Sequence, residues 1–204
     1  MTEEEARRWV ADRFGVSRET LLARLIEEVR VEAAQQNLVA PSTLDAIWAR
    51  HVVDSAQLLA LAGSRGGDWL DIGSGAGFPG MVIACLRDAA VALCEPRRRR
   101  ADFLARTATR LELGHVTVAA CKVERLSGVR PIISARAVAS LDALFAAAAA
   151  VSDRETWWVL PKGRSAREEV EAARKTWHGS FHVEQSITDP HSHIVVASGV
   201  RRRR

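Results

Sequence analysis

The sequence predicts an α/β fold: a doubly wound, mostly parallel sheet of seven strands closed by an antiparallel hairpin, behind an N-terminal helical extension. Three observations point to it. From Trp69 onward, short apolar runs alternate with amphipathic ones, as repeated βα units require. Trp69 to Gly80, reading WLDIGSGAGFPG, has the form of a strand, a glycine loop and a helix start. Near the C-terminus, strand-like residues 181–187 and 193–197 flank Thr188-Asp189-Pro190-His191, a turn that joins antiparallel strands.

Taken in order, residues 2–13 predict a helix, because Thr2 and Glu5 form a capping box and Glu3 and Glu4 suit a positive helix start. Gly15 ends it. A second helix begins at Ser17, with Leu21, Leu22, Leu25, Ile26 and Val29 on one face. A third follows Pro41, where Ser42 and Asp45 can cap, and carries apolar residues from Leu44 through Trp48 and Val52 to Leu61. Residues 1–62 are therefore the extension. Gly63 to Gly67 connect it to a second region, 63–204. Strands are expected at 69–72, 91–95, 116–119, 131–134 and 156–160. Helices are expected at 79–87, 97–112, 140–151 and 165–176.

The composition narrows the function classes. The 204 residues are 48% hydrophobic and 26% charged, which excludes global disorder, and the formal charge of +4 permits a polyanionic partner without demanding one. Cys85, Cys94 and Cys121 form no C-x-x-C pair, so they read as reduced thiols of a cytoplasmic protein with no metal site. The acidic start Met1-Thr2-Glu3-Glu4-Glu5 is unlike a signal peptide, and the alanine run 146–150 is too short to span a membrane.

The glycine loop admits two cofactors. Gly75-x-Gly77-x-x-Gly80 has the dinucleotide spacing. Asp71-x-Gly73-x-Gly75-x-Gly77 has that of S-adenosylmethionine-dependent class I methyltransferases, whose Rossmann-like sheet ends in an antiparallel hairpin. Asp71 favours the second: a carboxylate there repels a pyrophosphate but suits an ammonium or sulfonium group. Amides of the coming helix, with Pro79 at its start, are expected to face the ligand. Glu95, ending the second strand, can accept both ribose hydroxyls of an adenosine. The loop Cys121-Lys122-Val123-Glu124 borders the adenine in this fold.

At the end of the fourth strand, where the methyl should point, stands Arg136. There is no Asn/Asp-Pro-Pro-aromatic loop of adenine-N6 enzymes and no cysteine of cytosine-C5 enzymes. Methylating an amino nitrogen or a carbon removes a proton, whereas guanine N7 attacks through a lone pair and needs mainly alignment. Arg136 and Lys162 suit guanine O6 or a phosphate, although Lys162 can equally be a surface lysine. Arg97 to Arg100, opposing the helix dipole, read equally as RNA contacts or as a solvated first turn. Arg201 to Arg204 read as a mobile tail that attracts RNA.

These residues together resemble the bacterial small-subunit ribosomal RNA guanosine-N7 methyltransferases, the glucose-inhibited division protein B family. The resemblance rests on Asn37-Leu38, Arg50-His51-x-x-Asp54-Ser55, Asp71 through Gly80, Arg136-Ala137-x-Ala139-Ser140-Leu141 and Lys162-Gly163. It departs from the family at Val39-Ala40-Pro41, which replace a threonine. The resemblance implies that Gly73 and Phe78 line the S-adenosylmethionine pocket, that Val123 and Glu124 bracket the adenine, and that Arg136 borders cofactor and target. It also implies a guanosine of the decoding-region RNA as substrate, free or in the 30S particle. The full expectation is a monomeric methyltransferase whose 63–204 domain holds S-adenosylmethionine through Asp71, Gly73, Gly75, Phe78, Glu95, Val123, Glu124 and Arg136. Arg136 and Lys162 then hold the RNA, and no residue acts as a general base. His51 and Asp54 read as a pair tying the extension to the core. The alternatives are a nicotinamide-dependent oxidoreductase and a non-catalytic RNA-binding module.

Overall fold

The computed structural model describes residues 1–36, 38–39 and 41–203, apart from the side chains of Pro41 and Ser42. Asn37 and Ala40 of the family comparison, Arg204 and the expected Ser42 cap lie outside the described residues.

The first helix, α1 (Glu3–Phe14), starts as its capping box requires: the Thr2 hydroxyl accepts from the Glu5 amide at 3.2 Å, and Glu5 accepts from the Thr2 amide at 2.8 Å. Gly15 (φ +87°) turns the chain into α2 (Val16–Ala33), whose Leu22, Leu25, Ile26 and Val29 are buried. The continuous third helix expected after Pro41 is instead three helical forms. Pro41–Ala46 is a 3-10 helix, Trp48–Val53 a π-helix, and α3 (Asp54–Ala62) is α-helical. The sequence could not separate them, because one turn of apolar residues fits any of the three periods. What pins the wide turn is remote: the Glu3 carboxylate accepts the amides of Trp48 and Ala49, both at 3.0 Å.

The sheet has the order β3-β2-β1-β4-β5-β7-β6. Its parallel strands are β1 (Trp69–Ile72), β2 (Val91–Cys94), β3 (Val116–Ala119), β4 (Ile132–Ala135) and β5 (Trp157–Lys162). β7 (His193–Arg202) is antiparallel to both β5 and β6 (Trp177–Gln185), as the closing hairpin predicts. Between them run α4 (Gly80–Leu86), α5 (Arg98–Arg110), α6 (Leu141–Ala147) and α7 (Ala166–Thr176). Strand alternation sorts the core into two layers. Trp69, Leu93 and Val159 face α4, α5 and the extension, while Leu70, Ile133 and Trp158 face α6 and α7.

The hairpin is longer than its apolar residues suggest. β6 begins four residues before 181, and β7 continues past 197 until Arg201 pairs with His178 and Arg202 with Trp177. Arg201 and Arg202 are thus sheet residues and not a mobile tail, because backbone pairing holds them where side-chain hydrophobicity does not. Among the described residues, no helix is long and apolar enough to cross a membrane.

Candidate active site

The carboxyl ends of β1, β2 and β4 carry the loops that build the site, as expected where strand order reverses in an open α/β sheet. Gly73, just past β1, has φ +72°, and a Cβ there would lie 2.5 Å from Val138 Cγ2. A side chain is therefore excluded twice, by conformation and by the loop crossing above it.

Asp71 does not face a ligand. It is fully buried: one carboxylate oxygen accepts from the Ser134 hydroxyl at 2.6 Å and the other from the Gly80 amide at 3.1 Å. Ser134 in turn accepts from the Trp69 indole at 2.8 Å. Burial lifts the Asp71 pKa to about 6, against the lowering effect of those hydrogen bonds. The expected contact with a cationic ligand is corrected, because even-odd alternation in β1 turns residue 71 inward with Trp69. Its carboxylate ties β1 to β4 and to the first turn of α4. The Gly80 amide, expected to face the ligand, is engaged by Asp71 as well.

A cavity of about 530 Å³ opens beside Gly73. Glu95, Val123 and Glu124, the residues expected at the ribose and adenine, line it together with Arg97, Arg100 and Lys122. Glu95 accepts the amides of Gly75 and Arg97, each at 2.9 Å. Each of its oxygens retains a second lone pair for a ligand hydroxyl. Gly75 therefore acts through its amide on Glu95 and does not line the cavity. The lining fits S-adenosylmethionine: a carboxylate for a diol, the small apolar Val123 for a base edge, and both signs of charge for a zwitterionic tail.

A second cavity, of about 740 Å³, lies across a shared wall of Ala137, Val138 and Ala139. Arg136, just past β4 on this wall's near end, lines only the second cavity. It donates to His51 Nδ1 at 2.9 Å and lies 3.8 Å from Asp54. Phe78 lines neither cavity. It is buried and stacks on His51, centroids 4.8 Å apart and planes 18° apart, which corrects its expected place in the cofactor pocket. Lys162 also differs from expectation. Its ammonium donates to the Ala139 carbonyl at 2.7 Å and to Glu169 at 2.9 Å, and Glu169 accepts the Leu141 amide at 3.2 Å. Lys162 thereby clamps the shared wall from beneath. Ala137 is held at φ +55° in the same span.

Comparison with known proteins follows the same lines. Residues 18–195 match the model of the GidB family, described as rRNA small subunit methyltransferase G. The chain belongs to this family. The ribosomal RNA small subunit methyltransferase G of Rhizorhabdus wittichii is 48% identical over all of this chain and 95% of its own length. That of Zymomonas mobilis is 44% identical over all of this chain and 97% of its own length. Among solved structures, a SAM-dependent methyltransferase from Aquifex aeolicus has the same fold, with a TM-score of 0.61 at 14% identity over 85% of this chain and 98% of that one.

Within the GidB frame, the antiparallel β7 is incompatible with the all-parallel dinucleotide order, so the oxidoreductase alternative falls. The structure gathers Gly73, Glu95, Val123 and Glu124, expected at the cofactor, in one cavity, and places Lys162 at the other together with Arg136, which was expected to border the cofactor as well as the RNA. Sequence reasoning missed Glu169, whose role depends on α7 packing under the wall, and it gave His51 and Asp54 only half of theirs. They do tie the extension to the core, and they also hold Arg136. The signal for this was present in the Arg50-His51-x-x-Asp54-Ser55 motif.

Proposed function

We propose that this member of the GidB family transfers the methyl group of S-adenosylmethionine to N7 of a guanosine in small-subunit ribosomal RNA. The observation that carries the reading is a pair of cavities sharing one wall, with a fixed cation, Arg136, at the second. His51 has its Nδ1 lone pair on Arg136. Asp54 accepts from Gln57, Ser186 and Thr188, and Glu169 is paired with Lys162. These side chains are already engaged within the protein, which suits guanine N7: it attacks through a lone pair and needs no proton acceptor.

In this reading Gly73, Glu95, Val123 and Glu124 hold the cofactor, which supplies an electrophilic methyl on a sulfonium. Asp71, Gly75 and Phe78 support the surrounding loops. Arg136 donates to guanine O6 and so orients N7 toward the wall. Lys162 keeps Ala139 in place. Residues 63–204 form the transfer domain and residues 1–62 the extension that supplies His51 and Asp54. The protein works in the cytoplasm as a single chain, and Arg97 and Arg100, which line the cofactor cavity, add attraction for RNA phosphates.

The test is transfer of labelled methyl from S-adenosylmethionine to 30S subunits lacking the modification, followed by nucleoside analysis. Label in 7-methylguanosine is the expected result, and label on any other atom overturns the reading. Arg136→Ala should lower kcat/KM by about 10²-fold, the size of loss that misplacing a reacting group causes. Cofactor affinity, read by calorimetry, should hold.

A further inference from the structure

The Arg50-His51-x-x-Asp54-Ser55 motif has a use beyond joining the extension to the sheet. We propose that His51 is the positioning residue of Arg136: its ring, stacked on Phe78, presents an Nδ1 lone pair that holds the guanidinium at the second cavity, and it acts there as a neutral acceptor and not as a base. The inference deepens the proposed transfer reaction and rests on it.

Guanidinium carries only donors, so the 2.9 Å contact makes His51 Nδ1 the acceptor. The proton of the neutral ring is then on Nε2, which lies 3.1 Å from Thr43 Oγ1 and donates to it. Phe78 fixes the ring plane from one side by near-parallel stacking, and Arg136 also lies over the Phe78 face, 5.6 Å from its centroid. The ring sits on the π-helix, whose start is held by Glu3 of α1. Three separate elements therefore converge on one imidazole.

The arrangement explains a distance that is otherwise odd. Asp54 is the carboxylate nearest Arg136, yet the two stop 3.8 Å apart. The Asp54 oxygen turned away from Arg136 accepts from Gln57, Ser186 and Thr188. His51 holds the guanidinium short of a close ion pair, so its remaining N–H groups stay turned to the cavity. Without that acceptor, Arg136 can collapse onto Asp54 and leave the base without its donor.

The charges around the ring keep it neutral. Arg136 from the β4 end and Arg50 from its own helix both oppose an imidazolium, Asp54 favours one, and Lys162, Glu169 and His193 face the same cavity from the far side. Burial is the largest influence, and together with the two arginines it lowers the His51 pKa to about 3.

Two variants and one spectroscopic measurement test this on the full-length protein. Long-range ¹H–¹⁵N NMR of the histidine rings should give His51 as the Nε2–H neutral tautomer, unchanged between pH 5 and 8. An Nδ1–H tautomer, or protonation within that range, overturns the proposal. This readout needs no substrate, so it stands even if the protein fails to methylate RNA and the transfer reading falls. For transfer to unmodified 30S subunits, His51→Phe keeps the stack and removes the lone pair. It should lower kcat about tenfold to a hundredfold, as displacement of a reacting group does, with cofactor affinity unchanged. His51→Asn keeps an acceptor near the Nδ1 position and should recover part of that loss, with a pH–rate profile parallel to wild type. His51→Phe at the wild-type rate, or a wild-type ionisation that vanishes in His51→Asn, sinks the proposal. Should His51→Phe fail to fold, the tautomer of the wild-type ring and the His51→Asn profile decide.

Discussion

Asp71 is a carboxylate placed where water cannot reach it, and its effect on stability has a definite sign. Its folded pKa, about 6, lies above its ordinary value of 3.8. The native state therefore binds the extra proton between those values. The stabilising contribution of the protonated group is fully present below pH 3.8 and is lost as pH rises through 6. At about 1.4 kcal/mol per unit the difference is at most about 3 kcal/mol. Denaturant titrations of wild type and Asp71→Asn across pH 4–7 should show this slope in wild type alone; equal slopes would mean that Asp71 is ionised throughout. Gly80, its partner, is a site of close approach. An added Cβ would collide with Leu93 Cδ2 and lie 2.6 Å from Asp71 Oδ2. Gly80→Ala should cost about 1–3 kcal/mol, as overpacking does, measured by the urea midpoint. The acid was legible as the residue ahead of the glycine loop and Gly80 as its last glycine; that the two face each other follows from strand parity beneath a helix.

At the scale of elements, α3 and the hairpin are joined through Asp54. Ser186 and Thr188 both donate to it, and the Ile187 amide donates to Gln57. Asp54→Ala strands these polar groups and should cost about 1–3 kcal/mol. Hydrogen exchange should quicken at Ile187 and Thr188 while the amides of β1 stay protected; unchanged rates would show that the hairpin stands without the anchor. Elements with strong periodicity, such as β1, β3 and α7, were readable to within a residue or two. The π-helix and the full length of β6 and β7 were not, since their bounds are set by Glu3 and by ladder pairing. Lys162 was legible as a residue of the site and illegible as a clamp, because its partner Glu169 comes from a helix whose packing no local pattern encodes.

For the whole molecule, the extension and the sheet share one apolar layer: Leu25 and Val52 belong to the same buried cluster as Met81, Leu93 and Val159. Every residue of α4 is buried. A fragment of residues 63–204 therefore exposes a face built to be covered. It should bind hydrophobic dye and unfold without cooperativity, read by dye fluorescence and calorimetry. A sharp transition at the full-length midpoint would make the extension dispensable to folding. The alternation of strands and helices made the sheet legible, but not the fact that the extension completes its core.

The two arginine runs are alike in the sequence, but their described members lie at opposite ends of the sheet. Arg97 and Arg100 stand beside the cofactor cavity, at the carboxyl end of β2. β7 leaves the rim of the second cavity at His193 and reaches Arg202 roughly 30 Å away, at about 3.4 Å per residue. The chain thus carries a fixed-length caliper of positive charge. A polyanion that touches both jaws must span that length.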